Sequence, residues 1–136
     1  MDYKMIQLSG DQVSEIENRL ERYDDRHIKD RRTGDVNIGV MYEGELIAGA
    51  CGCISAFRIL YVSTVYVNER FRKKGVGRML MKKVEEAARA LGANMIRLDT
   101  FNWQGAGFYL KLGYEQVGYY SSCMDEFEEY FFLKRL

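Results

Sequence analysis

A chain of 136 residues is within the usual size of one domain and can bury a core without disulfide or metal staples. Its 47% hydrophobic and 29% charged residues are globular composition and argue against disorder, while 20 basic and 20 acidic residues give a net charge of +0, which argues against nucleic acid as a partner. Cys51, Cys53, Cys123 and the single His27 show no zinc-ligand spacing, so no metal is expected, and His27 reads as a surface residue.

The N-terminal Met1-Asp2-Tyr3-Lys4 lacks a signal pattern, and no run approaches the roughly 18 apolar residues of a membrane span. The expectation is a cytoplasmic protein with reduced thiols and no membrane contact, in one domain spanning 1–136. Met5 to Leu8 reads as a short first strand. Ser9 and Gln12 then form a capping box for a helix with Val13, Ile16, Leu20 and Tyr23 on one side. A polar segment, 24–35, follows. Val36 to Tyr42 and Leu46 to Ile54 read as a hairpin about Glu43-Gly44-Glu45, and Ile59 to Val67 is the strongest strand pattern.

An amphipathic helix runs from Val76 to Leu91, with Gly92 to end it and Lys82/Glu86 and Glu85/Arg89 as pairs on its wet side. Met95 to Thr100 is a strand and Trp103 to Leu112 a helix. Tyr114 to Tyr119 and Tyr130 to Leu136 complete the pattern as strands. The class is α/β, in the α+β sense of a central mixed sheet flanked by helices.

Arg72-Lys73-Lys74-Gly75-Val76-Gly77-Arg78 joins the strongest strand to that amphipathic helix. The first amides of a helix lack internal partners, its dipole adds positive potential there, and glycines let a backbone approach an anion. These are the features of a diphosphate cradle. A phosphate-binding loop of the Gly-Lys-Ser/Thr kind is absent because Arg78-Met79 follows Gly77, and a dinucleotide fingerprint fails because Leu80 stands where its third glycine belongs, although Asp99 lies near the ribose-binding distance.

Arg72, Gly75 and Gly77 resemble the Arg/Gln-x-x-Gly-x-Gly/Ala signature of the GNAT superfamily of acetyl-CoA-dependent N-acetyltransferases. Asn102, Gly105, Phe108-Tyr109, Lys111 and Gly113-Tyr114 resemble its later motif, with Gly105 where the family usually has alanine. The resemblance implies a co-substrate, acetyl-CoA, held by Val65, Tyr66 and Val67 of the strand, by Arg72, Lys73, Lys74, Gly75, Val76, Gly77 and Arg78 of the loop, and by Asn102 and Gly105. Asn102 is open to two readings, a helix cap or a hydrogen bond to the pantetheine arm. Gly105 and Gly107, read as helix-interior residues, each cost about 1 kcal/mol there relative to alanine, so either a ligand or the sheet must approach closely.

By the same resemblance Tyr109 is the general acid toward the departing thiolate. Family members often carry a carboxylate base on the central strand, where this chain has Ser63 and Thr64. Asp99, or an acid from Asp125 to Glu129, is the expected substitute, acting through water. Freeing an alkyl amine of its proton at neutral pH costs about 4–5 kcal/mol, so a base has work to do. The Asp125–Tyr130 run is either a solvated edge or a negative, aromatic rim for a cationic amine.

The ending Tyr130–Leu136 resembles small streptothricin-acetyltransferase-like members, but their Pro-x-Gly-His segment is replaced here by Cys123 to Glu129, so antibiotic chemistry is not carried over. The implied function is acetyl transfer to a primary amine of a small molecule or peptide. A non-catalytic acyl-CoA sensor is the alternative, and a homodimer is left open as the assembly.

Overall fold

Residues 1–136 are described in a computed structural model, which divides into two compact units, Met1–Asp30 and Arg31–Leu136. The first unit holds one helix, α1 (Gly10–Asp24), opened by the expected reciprocal cap: the Gln12 amide donates to Ser9 Oγ and the Ser9 amide to Gln12 Oε1. The expected strand at Met5 to Leu8 is not formed. A four-residue apolar run becomes a strand only where a partner edge accepts it, and this unit contains no other strand.

The second unit is a six-stranded mixed sheet in the order β1-β2-β3-β4-β6-β5, from β1 (Gly34–Tyr42), β2 (Glu45–Ile54), β3 (Ile59–Val67), β4 (Met95–Phe101), β5 (Glu115–Ser122) and β6 (Phe127–Arg135). Glu43 and Gly44 both take positive φ, the geometry of a tight two-residue hairpin loop between β1 and β2. Helix α2 (Val76–Ala90) turns Leu80, Met81, Val84 and Ala88 into a core with Leu60, Val62, Ile96, Leu98 and Phe132. The small residues Ala48 and Ala50 of β2 belong to the same core. No helix of the chain is long and apolar enough to cross a membrane.

Two further expectations are corrected. The last helix, α3, is confined to Ala106–Lys111, because Gly105 at φ 124° ends the preceding turn and cannot continue a right-handed helix. The pairs Lys82/Glu86 and Glu85/Arg89 do not form. Lys83 meets Glu86 at 3.1 Å, and Glu85 faces inward to Lys134 Nζ at 2.8 Å. Lys134 also donates to the Leu112 carbonyl at 2.8 Å, closing the end of α3, while the Tyr114 hydroxyl reaches Glu85 at 3.5 Å. A half-buried ion pair therefore joins α2, α3 and β6.

Candidate active site

The central feature is a parting of strands. Parallel β3 and β4 pair only through Ile59↔Met95, Leu60↔Ile96 and Tyr61↔Arg97. Beyond that point β3 stays bonded to β2 as far as Val67, and β4 to β6 as far as Phe101. Each strand thus keeps one main-chain edge without a strand partner, facing the widening gap. Free edges of this kind accept an extended, amide-bearing molecule as an added strand. Val65 and Val67 send their side chains toward the core while their backbone borders the gap, and Tyr66 points out to solvent.

At its open end β3 leads through a 3-10 turn (Glu69–Phe71) into α2. Asn68 Oδ1 accepts from the Arg70 amide at 3.0 Å, and Arg72 Nε donates to the Val67 carbonyl at 2.8 Å. Arg72 therefore shapes the loop with one of its nitrogens, and its guanidinium lies 5.8 Å from the Tyr66 ring centre. Lys73 (φ 59°) and Gly75 (φ 84°) adopt left-handed backbone, the conformation from which anion-binding nests of amides are built. No side chain caps α2, and its first closed turn is Met79 to Gly75, so the amides of Val76, Gly77 and Arg78 await a partner.

The two glycines differ in role. A Cβ at Gly75 would meet nothing within 4 Å, so the backbone conformation and open space select glycine there. A Cβ at Gly77 would lie 3.0 Å from Phe108 Cζ, so this glycine admits the Phe108 ring and locks α3 against the start of α2. Packing is the reason for Gly77.

After β4, Asn102 spends its side-chain oxygen on the Glu128 amide at 3.0 Å and its own amide on the Glu128 carbonyl at 3.0 Å, extending the β4–β6 ladder. It does not cap α3. Gly105 is the residue before that helix, outside its interior, and Gly107 has open space around it.

Tyr109 is 6% exposed, with its ring 5.8 Å from Phe132, 5.6 Å from Tyr114 and 5.1 Å from Phe108. Burial pushes its phenol up to about 12. Asp99 projects from the other side of the sheet, since it alternates on β4 with the buried Leu98 and Thr100. The Tyr61 hydroxyl donates to its Oδ2 at 3.0 Å, and the Arg97 guanidinium lies 4.3 Å from the Tyr61 ring centre. Burial, followed by the bond to Asp99, raises the Tyr61 phenol. Of the acidic run, Glu128 accepts from Tyr119 and Tyr130 and Glu129 from Tyr120. Tyr61 was not singled out from sequence; only strand register, which local pattern does not carry, brings it to Asp99.

The fold that carries these residues is shared with known proteins. An uncharacterized N-acetyltransferase of Chlorobaculum tepidum is 28% identical over 102 residues, covering 75% of this chain, which spans 57% of that relative's length. The crystal structure of an acetyltransferase from Bacillus cereus superposes with a TM-score of 0.90 at 26% identity over 98% of both chains. A structure described as a streptothricin acetyltransferase from Bacillus anthracis, in complex with acetyl coenzyme A, superposes at 0.67 with 16% identity over 80% of this chain and 65% of that one, a likeness of fold alone. Residues 3–114 match the profile of the Acetyltransferase (GNAT) family, and the chain belongs to that family.

Proposed function

We propose that residues 1–136 are one N-acetyltransferase domain that moves an acetyl group from acetyl-CoA to a primary amine by direct attack. The observation that carries this reading is the parting of β3 from β4 beside an uncapped helix start. The gap offers main-chain edges at Val65–Val67 for the amides of the pantetheine arm. The amides of residues 73–78, with Lys73, Lys74 and Arg78, suit the diphosphate. Family membership supports the same reading, as does the acetyl coenzyme A in the Bacillus anthracis neighbour.

Asp99 and Tyr109 lie on opposite faces of the sheet, so a thioester within the gap is approached from both sides. The amine nitrogen forms a bond to the carbonyl carbon, the C–S bond breaks, and its electron pair leaves with sulfur. An amine that arrives as its cation gives one proton through water to Asp99, and so to solvent, before it attacks. The second proton, released as the C–S bond breaks, takes the same route to solvent or the thiolate. Tyr109 donates a hydrogen bond to the sulfur. Full transfer from a phenol near 12 to a thiolate whose acid is near 8.5 would be uphill by about 5 kcal/mol, so the hydrogen bond, strengthening as charge develops, is its contribution.

Release of free thiol from acetyl-CoA in the presence of an amine panel tests the reading. Turnover is expected. Tight CoA binding without thiol release from any amine would replace it with the sensor function, and absence of CoA binding would remove both.

A further inference from the structure

We infer that the acceptor is an arylalkylamine, a primary amine with a flat apolar body, bound as its cation on the sheet face that carries Asp99, Phe101 and Glu129. This rests on the acetyl-transfer reading and adds the class of acceptor.

Strand register decides which side chains share the face. Asp99 and Phe101 alternate on β4 with buried Leu98 and Thr100. Phe101 stands opposite Glu129, Glu129 opposite Tyr120, and Phe127 opposite Ser122; opposed residues of antiparallel strands project to the same side. The rings touch in sequence. Trp103 stacks on Phe101 with centres 4.7 Å apart and planes at 8°, Phe127 meets Phe101 edge-on at 5.7 Å, and Tyr120 meets Phe127 edge-on at 6.0 Å. Trp103 nevertheless keeps 67% of its surface exposed. Trp103 and Tyr120 are exposed and Phe101 and Phe127 are half-buried between them, and a contiguous apolar strip of this kind is a candidate ligand surface.

Two carboxylates are set into this strip. Tyr61 holds Asp99 by Oδ2 at 3.0 Å and Tyr120 holds Glu129 by Oε1 at 2.5 Å, which leaves the second oxygen of each available. Carboxylates and the electron-rich faces of rings attract the same ligand, an ammonium cation. The nearby cation, Arg97, lies over the Tyr61 ring where β3 and β4 are still paired, on the side of Asp99 away from Phe101. An acidic acceptor would meet two like charges here, and an aliphatic polyamine would bring less flat apolar surface to the exposed face of Trp103 than an aryl group does. Asp99 borders the gap, so an ammonium between Asp99 and Glu129 places its nitrogen at the thioester side and its body along Phe101 toward Trp103.

Steady-state thiol release with 2-phenylethylamine, tryptamine, butylamine, putrescine and an acidic peptide with a free N-terminus tests this. The two arylalkylamines are expected to exceed butylamine and putrescine at least about tenfold in kcat/KM, with the acidic peptide lowest. Trp103→Ala and Glu129→Gln should each raise KM for 2-phenylethylamine about tenfold and leave KM for acetyl-CoA unchanged. A panel led by putrescine or the acidic peptide, or variants with unchanged amine KM, would overturn the assignment. Calorimetry separates the two readings. If 2-phenylethylamine binds wild type but not Glu129→Gln and no thiol is ever released, the surface stands and acetyl transfer falls.

Discussion

The Tyr61 hydroxyl donates to Asp99 Oδ2 across 3.0 Å at the place where β3 and β4 cease to pair, so one side-chain bond spans the apex of the gap. Tyr61 orients the carboxylate proposed as the base. Asp99→Asn is expected to lower kcat about 100-fold, in the range of general-base losses, while acetyl-CoA affinity holds. Tyr61→Phe should lower kcat several-fold, and in the Asp99→Asn background it should add almost nothing. Full additivity in that double-mutant cycle would separate Tyr61 from the base.

The two glycines of the loop predict different failures. Gly75→Ala forces a side chain into left-handed backbone at about 1–2 kcal/mol and should weaken CoA binding more than it lowers the melting temperature. Gly77→Val drives a side chain into Phe108 and should lower stability and CoA affinity together. Thermal melts beside CoA titrations read both. Equal damage to both properties in Gly75→Ala would point to a packing role for Gly75 as well.

Tyr109→Phe keeps the ring among Phe108, Tyr114 and Phe132 and removes only the hydroxyl. Turnover should fall about 100-fold, as for loss of one donor to a developing anion, with CoA affinity unchanged. The same residue carries a pH signature. Its phenol sits near 12 in the folded chain and near 10 unfolded, so its contribution to stability is complete below about pH 10 and is lost as pH rises through about 12. Urea midpoints measured between pH 9 and 11.5 should fall for wild type and fall less steeply for Tyr109→Phe.

The Glu85–Lys134 pair is only 12% and 25% exposed at its two side chains. Glu85→Leu strands the Lys134 ammonium against Tyr114 and should cost about 1–3 kcal/mol, discounted from a fully buried pair for that exposure. Lys134→Met in the same chain should recover part of the loss, because two apolar groups replace an unpaired charge. Chemical denaturation of both variants checks it.

Much of this fold is written in local pattern. Ile59 to Val67 is β-branched and aromatic nearly throughout and forms a strand with those bounds, and the 3.6-residue stripe of α2 locates the core. Met5 to Leu8 failed because strand formation depends on a neighbour that local sequence does not reveal. The α3 boundary differs from expectation because the helix cost of Gly105 carries no information on its φ, which makes it the stop before the helix. Local spacing pairs Glu85 with Arg89 at the surface, whereas its partner lies 49 residues away on β6. The loop between β3 and α2 is legible from Arg72 and Gly75, whereas Gly77, which has the same place in the motif, serves packing against Phe108 that spacing does not show. The gap and the Tyr61–Asp99 bond depend on register between strands 38 residues apart, and no short-range spacing encodes them.

A crystal soaked with coenzyme A tests the central claim most directly. Diphosphate oxygens within hydrogen-bonding distance of the amides of residues 73–78, with the pantetheine arm laid along Val65–Val67, are the predicted result. A cofactor bound elsewhere, or those amides left without ligand at saturating coenzyme A, would contradict it.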